Sequence, residues 1–503
     1  MAEQVPAAAV DEAVESEELT ATLSHDRRYV GTKETVAYVL YDISMSFNIN
    51  KYRDVFLTDI LIISFSFQTL VNGIIGVWDI VNDVLLAALV DRTRTRFGKF
   101  RPYLVLYAVP GIVMEVFYWF MPIIFIGTGP NYMPKLIIYL VFQFLYNMAT
   151  SLNNIAKTGM LATITPNIIE RTRLITQANL FSGFVEKGPE IIMGMMIDFV
   201  NRGVLNIDMR SLYVGGGIFT VLVAGGLALY FVAVTKERVI QNVEKPSIKA
   251  SIDSLIKNKP LLLITIEQFL ASFSIDSGMN LYYINVLGLA TMSTIVGIPG
   301  AVVSPLSYTY VPKAREIFST KALWIMGSHL DNLLLAGVWV VGSINKNFKK
   351  LGAMIPAFMI RETLWMLVWG IRKVIPEEMR NEAIDYGEWK TGFRTEGMTG
   401  VTRGLAQKLV STLGSMIKTF ILGRIGYVQG AGFGNQSEST EYSLFTMCTI
   451  LPVVTGLLSI IPKFFYALSG EKKERMYREL YERREAMKNA TLANDSSAPE
   501  LPE

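Results

Sequence analysis

Apolar residues fall along this chain in blocks close to twenty residues long, separated by short stretches rich in Lys, Arg, Gly and Pro. A helix rises about 1.5 Å per residue, so about twenty residues cross the roughly 30 Å of a bilayer's hydrocarbon. Blocks beginning near Tyr103, Lys135, Leu212, Pro260, Ala322, Leu351 and Ser443 are long and clean. Four others, Glu34 to Leu57, Ser64 to Val90, Leu174 to Val200 and Leu405 to Ile425, carry isolated charges, and a shorter block spans Thr291 to Tyr310. Together they predict an all-α membrane protein of about twelve transmembrane helices. The longest polar gap divides these into two six-helix halves. The expected regions are a disordered tail at 1–32, a bundle at 33–235, a middle loop at 236–259, a second bundle at 260–470 and a charged tail at 471–503.

Composition agrees with lipid as the solvent: 51% of the 503 residues are hydrophobic, 18% are charged, and the mean hydropathy is +0.35. The acidic, Ala-rich first thirty residues have no apolar run and read as a tail, not a signal peptide. Lys and Arg crowd the loops after the second, fourth, sixth, eighth and tenth helices, which by the positive-inside rule places those loops and both termini in the cytoplasm. The expected location is the plasma (inner) membrane, with multiple passes. The tail after Gly470 reads as a charged, solvated helix.

A single cysteine, Cys448, excludes an internal disulfide and a thiolate metal cluster, and the two histidines, His25 and His329, share no ligand spacing. No nucleophile–base constellation or phosphate-binding GxxxxGKS loop is present, so the chain does not read as an enzyme or a direct user of ATP. No cofactor or nucleic-acid partner is expected, only membrane lipid and a small polar solute.

The informative residues are charges inside the apolar blocks, where an ionisable group must be paired, face water or serve a function. In the second helix Asp79 and Asp83 stand four residues apart, which puts both carboxylates on one face. Like charges so close call for a cation or proton between them, and the structural alternative is neutralisation by Lys or Arg of a neighbouring helix. Further candidates are Asp42, Glu115, Lys157, Glu186, Lys187, Glu190, Glu267, Asp276, Arg361, Glu362 and Lys408. Carboxylates and bases so balanced suit a hydroxyl-rich solute, and Trp365, Trp369, Tyr282 and Tyr283 offer faces for a sugar ring, or simply pack helices. A polar run on the fourth helix, Asn147 to Thr158, is expected to line a cavity or pack on the second helix, and Gly188 with Pro189 to kink the fifth.

Two long stretches carry a resemblance. WDIVNDVLLAALVDRTRTRFGKFRPYL, Trp78 to Leu104, resembles the second helix and following loop of the glycoside-pentoside-hexuronide:cation symporters, the melibiose permease family of the major facilitator superfamily. IDYGEWKTGFRTEGM, Ile384 to Met398, resembles that family's loop between helices ten and eleven, and GRIGYV, Gly423 to Val428, the end of its eleventh helix. The similarity covers roughly residues 33 to 470. It implies a secondary active transporter that moves a sugar, glycoside or uronide by alternating access, coupled to Na⁺ or H⁺.

The resemblance also implies roles. The family's cation-binding aspartates match Asp79 and Asp83, its sugar-binding acid matches Asp42, and its lysine of helix eleven matches Lys408. A third cation-site acid is replaced by Thr158, with Lys157 beside it, which leaves open an ammonium in the cation's place and a proton-coupled or uncoupled carrier. Asn179 stands near the place of the family's sugar-binding arginine, and Ala162 in that of its tryptophan. Substrate contacts are thus expected at Asp42, Lys408, Asn179, Trp365 and Tyr282, and ion coupling at Asp79, Asp83, Lys157 and Thr158. The charged loops are assigned to gating through Asp91, Arg92, Arg96, Arg101, Asp385 and Arg394, although positive charge there also serves topology. The diverged pocket keeps open a lipid-like or organic-anion solute and, more remotely, a membrane sensor.

Overall fold

The computed structural model describes residues 29–496, apart from 94, 96, 166–167, 238–255, 257, 273–277, 392–395, 467 and 469. Twelve helical passes follow one another among these residues. They are α1 (Thr32–Ser46, extended by short turns to Ile60), α2 (Phe65–Arg92), α3 (Arg101–Ile124), α4 (Met133–Ile164), α5 (Ile168–Asn201) and α6 (Met209–Val234). Then come α7 (Lys259–Ser272 and Met279–Asn285), α8 (Met292–Ser307 and Val311–Ile317), α9 (Thr320–Ser343), α10 (Leu351–Leu367 and Trp369–Thr391), α11 (Glu396–Arg424) and α12 (Glu438–Leu458 and Ile460–Phe465). A last helix, α13, covers Glu471–Ser496.

By length and apolarity alone only five of these qualify as membrane spans, α3, α4, α6, α9 and α12, and seven if the bent pairs in α8 and α10 each count as one. The bends are 67° and 42°. The remaining passes carry the charges noted above, which a helix can hold where it faces protein or water instead of lipid. Pro189 lies inside α5, which runs through it as one helix.

Two compact units result. The first comprises the chain up to the middle loop together with Tyr283–Thr291 and Thr419–Ser437; the second comprises the rest. In the first, α1 packs on α5 and α6, α2 on α4, and α3 on α6. Tyr41 stacks on Phe231 with ring centroids 4.5 Å apart. The α3–α6 approach depends on Gly217, where a Cβ would fall on the Trp119 indole.

Two carboxylates draw in the borrowed segments. Asp59 accepts hydrogen bonds from Asn285 Nδ2 (2.8 Å), Tyr427 Oη (2.9 Å) and the Gly430 amide (3.1 Å). Asp198 accepts from the Ala290 amide and from both the amide and hydroxyl of Thr291. At the other end of the helices Glu237, just beyond α6, accepts from the amides of Lys99 (2.8 Å), Phe100 (2.8 Å) and Arg101 (2.9 Å). Those amides open α3 and have no partner within the helix, so an anion belongs there. Gly98, at φ +113°, leaves the room, since any Cβ would strike that carboxylate.

In the second unit α8 packs on α10, and α9 on α10 and α12. The charged tail departs from its expectation as a solvated helix. Met476 and Leu480 of α13 are buried in the core with Ile375, Met379 and Ala383 of α10. Lys473 pairs with Glu382, and the Trp389 indole donates to Glu479 at 2.6 Å. Tyr477 donates to Asp385, and burial with the nearby acids Glu382 and Asp385 pushes its phenol up to about 12. Apolar side chains four residues apart turned an apparently polar helix into a docked one.

Candidate functional site

In the first unit two members of the polar run of α4, Asn153 and Lys157, reach α1. Lys157 forms an ion pair with Asp42, and its ammonium lies 5.8 Å from the centre of the Tyr41 ring. Tyr41 in turn donates its hydroxyl to Asn153, whose amide nitrogen reaches Met45 Sδ at 3.3 Å. Asp42 and Lys157 are 14% and 28% exposed, so the pair is mostly desolvated and each partner depends on the other. The sequence left open whether Lys157 answers the acids of α2; its only ion pair among the described residues is with Asp42.

Asp79 and Asp83 lie one turn apart on α2, both half-buried, with Asn82 between them almost fully buried. The Asn82 amide nitrogen and the Trp78 indole nitrogen are buried donors without a partner among the described residues. Thr158 is exposed and its hydroxyl donates to the Asn154 carbonyl (2.9 Å), and Asn179 is also exposed. Nearby, Arg53 pairs with Glu115 at 3.4 Å and lies over the Tyr118 and Tyr146 rings at 4.5 and 4.6 Å. A pocket of about 80 Å³ borders Glu115, Tyr146, Asn48 and Ser44.

In the second unit Trp365 and Trp369 meet edge to face at 5.4 Å. Arg361 holds Asp331 through two bonds of 2.6 and 2.7 Å and reaches Glu362 at 3.0 Å. Lys463 pairs with Glu267 at 2.9 Å and also meets His329 Nε2 at 2.9 Å, so the lone histidine is a packed partner of a lysine. Lys408 is half-buried on α11. Tyr282 is a correction: it is fully buried and donates its hydroxyl to the Phe348 carbonyl at 2.6 Å, so it packs this unit and has no open face for a solute.

Of the gating residues, Arg92 is exposed, Arg101 donates to the Val232 carbonyl at 2.8 Å, and Asp385 engages α13 through Tyr477. Arg96 and Arg394 lie outside the described residues, as do Asp276 and the side chains of Asp91, Glu186 and Ala162. Sequence reasoning missed Asp59, Asp198 and Glu237, which sit at helix ends where a charge looks unremarkable. The available signal was a glycine of positive φ near each bond network, Gly430 for Asp59, Gly288 for Asp198 and Gly98 for Glu237. No group of three His, Cys, Asp or Glu side chains able to hold a metal ion occurs among the described residues.

Helical passes carrying buried ion pairs define a class, the multi-pass carriers of the major facilitator type, and known structures agree. The chain resembles the xylose transporter of Escherichia coli in an inward-open conformation, with a TM-score of 0.50 and 14% identity, over 85% of this chain and 94% of that one. At such identity the likeness establishes the fold. Residues 36–470 match the family described as MFS/sugar transport protein, and the chain belongs to that family. It is a transporter and not an enzyme. Among its relatives, the glucuronide carrier protein homolog of Escherichia coli is 26% identical, over 82% of this chain and 86% of the relative. The isoprimeverose transporter of Lactiplantibacillus pentosus is 25% identical, over 93% and 95%.

Proposed function

We propose that this carrier moves a sugar-type solute, a glycoside, pentoside or uronide, in symport with Na⁺ or H⁺. The observation that carries the coupling is the placement of Asp79 and Asp83 one turn apart on one helix, both half-buried. Two carboxylates so close favour a bound cation or shared proton, and these are the groups we assign to the coupling ion. The solute class rests on the relatives, one named for a glucuronide and one for isoprimeverose. Asp42, Lys408 and Trp365 are the polar and aromatic groups we assign to the sugar. The Lys and Arg distribution supports both termini in the cytoplasm and residence in the plasma membrane.

Uptake into reconstituted vesicles tests the reading, using neutral glycosides, pentosides and uronides with a sodium gradient, a proton gradient or neither. Accumulation driven by one gradient in wild type and lost in Asp83→Asn, with exchange retained, is the expected result. Absence of accumulation and exchange across the whole panel overturns it.

A further inference from the structure

Four pieces of chain meet in the first unit: the end of α1 with Asp59, the end of α5 with Asp198, the segment Tyr283–Thr291 that closes α7 and the segment Thr419–Ser437 that closes α11. Ends of odd-numbered passes lie on one side of a membrane. The two segments are joined to each other. The Gly434 amide donates to the Asn285 carbonyl at 3.1 Å, Asn285 Nδ2 donates to the Tyr427 hydroxyl, and the Phe433 ring fills the space where a Cβ on Gly288 would stand. They form one strap.

The strap is fastened at two carboxylates. Asp59 accepts from Asn285, Tyr427 and the Gly430 amide, and Asp198 from the Ala290 amide and from Thr291. Gln429 adds a bond to the Ile63 carbonyl at 2.7 Å. The turn that presents Asp59 is itself held in place. Ile62, a β-branched residue, sits at φ +56°, where such side chains rarely go, and the Lys135 ammonium of α4 fixes the turn by donating to the Leu61 and Ile62 carbonyls at 3.0 Å each.

The kind of bond matters as much as the number. Neither Asp59 nor Asp198 has an ion pair among the described residues, although Arg210 borders the same cavity of about 320 Å³ as Asp59. Breaking a buried ion pair strands a charge, which makes such a pair a rivet. Bonds from amides and hydroxyls to a carboxylate are stronger than neutral ones, yet water replaces both sides of them when the parts separate. A closure meant to open is built this way.

We infer that Asp59 and Asp198 are the two catches of a latch, and that the carrier opens on the side of the odd-numbered helix ends by releasing Tyr283–Thr291 and residues 427–434 together. The inference rests on the reading of the protein as a carrier that works by alternating access; it assigns the catches and the strap.

The test places a reporter under the strap. Ile284 is 4% exposed and borders the same cavity as Asp59. Ile284→Cys, in a Cys448→Ala background, is labelled with a hydrophilic maleimide in the full-length protein held in nanodiscs. Asp59→Asn and Asp198→Asn, which keep shape and remove charge, should each raise the labelling rate roughly tenfold, the factor one charge-assisted hydrogen bond represents, and the double variant should raise it further. Asp59→Glu, which keeps the charge, should fall between wild type and Asp59→Asn. Asn258→Ala is the control for general loosening, because it removes two hydrogen bonds at the opposite end of α7. Labelling unmoved in both single carboxylate variants, or raised as much by Asn258→Ala at an equal loss in thermal unfolding midpoint, overturns the latch. The single variants decide the matter should the double variant not unfold cooperatively. Faster labelling in the carboxylate variants of a protein that exchanges no glycoside would remove the carrier reading and leave the latch, whereas exchange with unmoved labelling would do the reverse.

Discussion

Lys157 of α4 reaches across to Asp42 of α1 and forms an ion pair there, over the Tyr41 ring and beside the Tyr41–Asn153 hydrogen bond. Two helices that frame the first unit are thus joined by charge at a mostly desolvated position. Asp42 is the residue matched to sugar binding by family resemblance, and on the proposed reading its carboxylate would meet a solute already neutralised by a lysine.

Removing one member should cost more than removing both. Lys157→Gln leaves Asp42 in place without its counter-ion and is expected to destabilise the protein by roughly 1 to 3 kcal/mol, with part of that restored in the Asp42→Asn, Lys157→Gln double variant. Thermal unfolding in detergent of the four proteins of the cycle measures the coupling. Equal losses in single and double variants would mean the pair contributes packing only.

Glu237 and Gly98 work as a unit at the start of α3. Gly98→Ala combines a strained left-handed backbone with a collision against the carboxylate, and about 1 to 3 kcal/mol of stability should be lost. Replacing Glu237 by Ala in that background should recover the part due to collision and not the part due to strain. Unfolding midpoints of the single and double variants separate the two.

Asp59 holds Tyr427 and the Gly430 amide of the segment that follows α11. In Asp59→Ala these lose their acceptor, and amide hydrogen exchange of residues 427–433 should rise by roughly tenfold or more while that of α3 stays unchanged. Unchanged exchange in that segment would show that its packing suffices without the carboxylate.

The docking of α13 should respond to acid. Arg475 first, and the Trp389 indole second, hold the Glu479 carboxyl below its ordinary value. A group whose folded pKa is depressed contributes stability above its unfolded pKa, near 4.3, and loses it as pH falls through the folded value. Because Arg475 lies on α13 itself, protonation removes only the Trp389 bond from the docking contact, and the expected outcome is full docking at pH 7 and a rise in protease sensitivity of the tail below about pH 4. Glu479→Gln should lack this component of the acid transition.

By itself the sequence determined that the chain crosses a membrane in helical passes, because the long apolar blocks have few other solutions in water or lipid, while the passes that carry charges qualify only beside their neighbours. It also determined the family, through the two motifs around Asp79–Arg101 and Asp385–Met398, and identified the charges that needed explanation. Only tertiary structure decided who partners whom. Periodicity places Lys157 on a helix face but does not say whether α1 or α2 lies opposite, and the answer, Asp42, changed the part assigned to Lys157. Tyr282 and α13 show the same limit in apolar form: whether an aromatic face or a pair of apolar side chains is covered depends on neighbours distant in sequence, Phe348 for the one and α10 for the other.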